Sequence, residues 1–174
     1  MTHYGHCVAA RATENLRVLV AEDDPVARRM VREVLQGAGM TVVAEAETGS
    51  QAVELALEHR PDAVLMNVAM PDVDGLSATR RIVGELPDQI IILVSRDDDE
   101  ATGLACLRAG AVGYLSTDLD VEALPRAVAG AVHGEAAISR RLVMRLVERL
   151  RGAGGRAYAP RGEAIAAAQR FRNA

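Results

Sequence analysis

Five short apolar runs, rich in branched residues, alternate with longer segments whose apolar residues recur at helical spacing, and that alternation allows very few folds. The runs are 17–22, 41–46, 63–67, 90–94 and 113–116. Segments 24–38, 49–59, 76–85, 98–109 and 121–133 follow the helical period. Stop signals agree with it: Gly37 and Gly39 close the first helix, Pro61 follows the second, Gly84 and Pro87 end the third, and Gly110 ends the fourth. Near-continuous apolar strands joined by helices of crossover length predict a five-stranded parallel sheet covered on both faces, an α/β doubly wound fold. In such folds functional groups collect at the carboxyl ends of the strands, near the point where strand order reverses.

That rule brings residues distant in sequence to one place. Glu22, Asp23 and Asp24 follow the first strand, Asn67 ends the third, Ser95 ends the fourth and Thr117 follows the fifth. Adjacent carboxylates at the mouth of a buried strand suit a hard cation, and the Ser95 hydroxyl suits a phosphoryl oxygen. Asp24, followed by Pro25, reads instead as a helix N-cap. Asn67 stands in PDAVLMNVAMPDVDG where this chemistry needs an aspartate. An amide keeps the shape of the carboxylate but is a far poorer nucleophile and brings no charge to a metal site.

Composition narrows the classes further. A chain of 174 residues, 49% of them hydrophobic, can build one α/β domain with appended segments but not two domains of ordinary size. A net charge of −4 argues against a body that holds nucleic acid by electrostatics alone. All 20 cationic side chains are arginine, so no chemistry that needs a lysine ammonium is available. Cys7 and Cys106 lack metal-ligand spacing and read as reduced thiols, and His3 and His6 read as solvated. His59 and His133 sit near helix C-termini, where the helix dipole explains them. Without a signal-peptide core or a membrane-length apolar run, a cytoplasmic protein with no membrane partner is expected. A Gly-rich phosphate loop and a nucleophile elbow are also missing, so no enzyme activity is expected.

The segments VLVAEDDPVARRMV, PDAVLMNVAMPDVDGLSATRRI, IILVSRDDDEA and LRAGAVGYLSTD together resemble the receiver domain of bacterial two-component response regulators of the NarL/FixJ type, from about Leu16 to about Gly134. The resemblance implies a flavodoxin-like (βα)5 fold, Mg²⁺ held by acidic residues and aspartyl phosphorylation by a histidine kinase. On this chain Glu22 and Asp23 match the acidic pair, with Asp23 the direct metal ligand and the Ala69 carbonyl at a further coordinating position. Ser95 matches the hydroxyl and Tyr114 the switch aromatic, whose other reading is a partly buried ring capping the sheet edge. Two positions depart from the pattern: Asn67 replaces the phosphoacceptor aspartate and Thr117 the lysine that pairs with the phosphoryl group. Arg96, beside Ser95, offers a longer cation of different shape.

The double departure leads to a pseudo-receiver that works without phosphorylation, requires no cofactor, holds Mg²⁺ weakly at most and acts through protein contacts to regulate transcription. The alternative is a conventional phospho-receiver of a DNA-binding regulator, with Asn67 introduced artificially or the chain cut short. The expected organisation is a disordered arm over 1–15, a receiver-like domain over 16–134, a linker and amphipathic helix over 135–151, and a flexible tail over 152–174. In the helix, Leu142, Val143, Leu146, Val147 and Leu150 form an apolar stripe opposite Arg140, Arg141, Arg145, Arg149 and Arg151. Three roles stay open for it: dimerisation or docking, binding a membrane surface or nucleic acid, or a linker packed on its own domain. A homodimer and a histidine kinase or other signalling protein are the expected partners, with DNA reached only through a missing or separate output domain.

Overall fold

The computed structural model describes residues 15–96, 99–116, 120–138, 142–144, 147–148 and 151. Six parallel strands form one sheet: β1 (Arg17–Ala21), β2 (Thr41–Ala46), β3 (Ala63–Asn67), β4 (Ile90–Ser95), β5 (Gly113–Ser116) and β6 (Ala137–Ile138). Their order is β2-β1-β3-β4-β5-β6. Five helices connect them: α1 (Pro25–Gly37), α2 (Gly49–His59), α3 (Gly75–Glu85), α4 (Glu100–Ala109) and α5 (Leu124–Val132), the last preceded by a 3-10 turn over Val121–Ala123.

Each strand divides its side chains between two cores, because successive residues point to opposite faces. Val18 and Val20, Ala63 and Leu65, Ile92 and Leu115 pack with Leu35 of α1 and with Leu124 and Val128 of α5. The intervening Leu19, Val64, Met66, Ile91 and Leu93 are equally buried, as are Ala52 and Ala56 of α2, Ala78 and Ile82 of α3 and Cys106 of α4. Burying both faces explains why these strands read as apolar runs rather than alternating ones.

Local chemistry sets the helix ends. Asp24 caps α1 by accepting from Val26 N at 2.8 Å and Ala27 N at 3.4 Å. Thr48, Asp74 and Asp99 cap α2, α3 and α4 in the same way. Gly110 closes α4 with φ +107°, a conformation that side chains with a Cβ rarely adopt. Gly84 does not end α3, which runs one residue further and is capped at Leu86.

The expected count of five strands is corrected to six. β6 pairs with β5 through Gly113↔Ala137 and Tyr114↔Ile138. Two residues carry no readable periodicity, and what admits them is a glycine: a Cβ on Gly113 would lie 2.7 Å from that of Ala137. The first compact unit therefore extends to Ser139, and Arg140–Ala174 form a second. In the second, residues 142–144, 147–148 and 151 are helical, with Val143 and Met144 exposed. The rest of the expected helix, and the arm and tail, lie outside the described residues.

Candidate functional site

Strand order reverses at β1, whose chain continues to β2 on one side and whose other neighbour is β3. The carboxyl ends of β1 and β3 therefore lie side by side, and β1–β3 pairing from Val18↔Ala63 to Ala21↔Met66 fixes their register. Glu22 and Asp23 leave β1 there, and Asn67 closes β3.

Asn67 spends its whole carboxamide inside this cluster. Its Nδ2 donates to Glu22 Oε1 at 3.0 Å and to Asp23 Oδ1 at 3.2 Å. Its Oδ1 accepts from the Ala69 amide at 3.1 Å, which also fixes which end of the amide faces the acids. Glu22 Oε1 accepts a second bond, from Asp24 N at 3.2 Å. Burial pushes the Glu22 carboxyl above the ordinary glutamate range, and Asp23 adds to the rise, while the bonds from Asp24 and Asn67 oppose it.

Two structural devices hold this geometry. The guanidinium of Arg28, on the first turns of α1, donates to the Glu22 carbonyl at 2.7 Å. It also pairs with Glu47 at 2.7 Å and Glu45 at 3.5 Å, while Arg32 reaches Glu45 at 2.8 Å. Gly75, the first residue of α3, lets that helix start directly against the Asn67 carbonyl, where any Cβ would collide. Sequence reasoning missed both, since an arginine six residues beyond Glu22 and a glycine at a helix start carry no signal until the chain is folded.

The remaining predicted positions differ in their fate. Ser95 ends β4, buried and paired with Ser116 of β5 in the ladder. Tyr114 is 1% exposed, which corrects the expectation of a partly buried ring at a sheet edge: β5 has β6 as an outer neighbour. Ala69 presents its amide to Asn67. Thr117 lies outside the described residues. Among the described residues no group of three or more His, Cys, Asp or Glu side chains could hold a metal ion, and no helix is long and apolar enough to cross a membrane. Glu22 and Asp23 face an N–H donor where a divalent cation would need an oxygen, so the residues present fit Mg²⁺ poorly.

A parallel sheet of this order, with an acidic pair at the end of β1 facing the last residue of β3, is also what comparison with known proteins returns. The family model described as the response regulator receiver domain matches residues 18–129. The chain belongs to that family. Among curated relatives, this receiver is 34% identical to the transcriptional regulatory protein DegU of Brevibacillus brevis over 137 residues, covering 78% of this chain and 58% of that protein. It is 48% identical over 111 residues to a protein-glutamate methylesterase/protein-glutamine glutaminase of Myxococcus xanthus, covering 62% of this chain and 31% of that one. The chain thus spans a third to somewhat over half of these relatives. Among solved structures, the signal receiver domain of the response regulator NarL from Mycobacterium tuberculosis superposes with a TM-score of 0.67 at 31% identity, covering 70% of this chain and 99% of that domain.

Proposed function

We propose that this receiver is a pseudo-receiver, a signalling module of a transcription-regulating response regulator whose output does not run through aspartyl phosphorylation. The observation that carries the reading is the Asn67 carboxamide, at the phosphoacceptor position, bound to Glu22 and Asp23 through its N–H groups. Phosphoryl transfer to a side chain needs an ionised oxygen nucleophile and a cation to neutralise the charge of the transferring group. The amide oxygen here is neutral and already accepts from Ala69, and the amide nitrogen occupies the carboxylates. With no lysine in the chain, no ammonium can stand in for the one that Thr117 replaces. Mg²⁺ binding is accordingly weak, and no cofactor is required.

A phosphoryl group is what biases a switch element in receivers of this type, and without it no differential binding energy moves Tyr114. Its complete burial suits a site held in one state. Output then rests on protein contacts: self-association, a histidine kinase or other signalling protein, and DNA through an output domain outside this segment. Val26 and Met30, one helical turn apart on α1, are 74% and 48% exposed and favour self-association through that helix.

The test is incubation with acetyl phosphate and Mg²⁺, followed by intact mass measurement, with Asn67→Asp alongside. The expected result is a phosphoryl adduct on the variant alone; an adduct on the unaltered chain overturns the reading. For self-association, sedimentation should show a dimer that Met30→Glu dissociates, and a monomer at every concentration removes that part of it.

A further inference from the structure

Behind Asn67 the sheet does not close fully against α1 and α5. A cavity of about 210 Å³ remains, with Val20, Leu65 and Val94 as its floor and Ala27, Val31 and Leu124 as its walls. Its polar lining is Glu22, Asn67, Ser116 and Arg96, all at or just beyond the carboxyl ends of their strands. It opens to solvent past the exposed Met30 and Arg96 and reaches the buried Val20, Leu65 and Met66, so it is a cleft that enters the core. An apolar cavity of roughly 150 Å³ is enough to hold benzene, whereas drug-sized ligands need roughly 300 Å³ or more, which sets the occupant at one or two fused rings or a short branched chain.

The mouth decides the polar end. Glu22 Oε1 already accepts from Asn67 and Asp24, and both Asn67 N–H groups are engaged. Arg96, by contrast, is exposed and makes no hydrogen bond or ion pair among the described residues. A guanidinium fork with no partner among the described residues, beside an apolar cleft, complements a planar anion attached to an apolar body. We propose that this cavity is a binding site for a small apolar monocarboxylate, its rings or branched chain between the sheet and α1 and its carboxylate on Arg96. The proposed site rests on the reading of Asn67 as unphosphorylated, because Asn67 and Glu22 line the cavity and a phosphoryl group at position 67 would compete for Arg96. Met30 both lines the cavity and is exposed on the outer surface of α1, so an occupant touches a residue that a second protein can also touch.

The test is titration of the methyl-labelled full chain with 1-naphthoate and, separately, with the neutral 1-naphthalenemethanol. Saturable shifts are expected at the Met30, Val31, Leu65 and Leu124 methyls, with the carboxylate binding about fivefold tighter and that preference lost in Arg96→Gln. Ala27→Leu, which fills the void, should abolish binding; should that variant fail to fold, Val121→Phe at the rim serves the same purpose. Absence of saturable shifts at millimolar naphthoate overturns the proposal. So does binding that survives filling of the cavity, or equal affinity for the two probes in the unaltered chain.

Discussion

Asn67 Nδ2 lies 3.0 Å from Glu22 Oε1, so an uncharged donor satisfies a half-buried acid at the junction of β1 and β3. A buried hydrogen-bonded carboxylate costs most when its donor is removed and another acid put in its place. Asn67→Asp should therefore lower stability by about 1–3 kcal/mol in the absence of divalent ions, since three carboxyls then share one pocket. Urea unfolding with and without Mg²⁺ checks this. The variant should regain stability as Mg²⁺ is added and the unaltered chain should not respond.

Glu22 also gives the fold a pH signature. Its carboxyl titrates above the ordinary glutamate range in the folded chain, chiefly through burial, so the folded state binds the proton more tightly than the unfolded state. Stability from this residue must then fall as pH rises from the unfolded value through the folded one, and be regained on acidification through the same window. Asp74 and Asp99, held low by the helix caps they form, work in the opposite sense. The informative quantity is the difference between the chain and Glu22→Gln: the gap should widen in favour of the glutamine variant as pH rises across that window. A gap independent of pH would contradict the assignment.

Arg28 is predicted to matter more than its place on a surface helix suggests. Its side chain is 12% exposed and joins the Glu22 carbonyl to Glu45 and Glu47. Arg28→Ala leaves a backbone acceptor and part of an acidic pair without their donor, a loss of about 1–3 kcal/mol by thermal or urea unfolding. Loss of Arg29, whose partner Glu33 is one turn along an exposed helix face, should have a much smaller effect, because solvent screens that pair.

Gly75→Ala tests the close approach of α3 to β3. Helix propensity alone favours alanine by about 1 kcal/mol, yet the added methyl meets the Asn67 carbonyl. Net destabilisation of about 1–3 kcal/mol is expected, against a gain for Gly84→Ala in the same helix, where nothing lies within 4 Å.

Cys106 should resist alkylation in the folded chain. It is fully buried in α4, and burial pushes its thiol up to about 11, leaving little thiolate at neutral pH. Peptide mapping after iodoacetamide treatment should find it modified only once denaturant unfolds the domain.

The strands and helices were legible because each buried strand is an apolar run and four of the five connecting helices begin at a side-chain cap, as Asp24 shows. The gathering of Glu22, Asp23 and Asn67 at the carboxyl ends of β1 and β3 followed from topology alone. Other features depend on approach distances that no local pattern encodes. The two residues of β6 are too few for a period, Arg28 reaches Glu22 across a turn of helix, and the burial of Tyr114 depends on a strand that the pattern did not show. The cavity behind Asn67 exists only where residues from β1, β3, β4, α1 and α5 fail to meet.

The pairing of Gly113 with Ala137 has a consequence for the outer edge of the sheet. β5 would otherwise present a bare row of amides and carbonyls, the kind of rim on which chains add to one another edge to edge. The two residues of β6 cover its first half, at Gly113 and Tyr114, and are themselves too short to template a further strand. Ending the domain at Gly134, where the helical pattern stops, would strip that cover, so the fragment should be cut no earlier than Ser139.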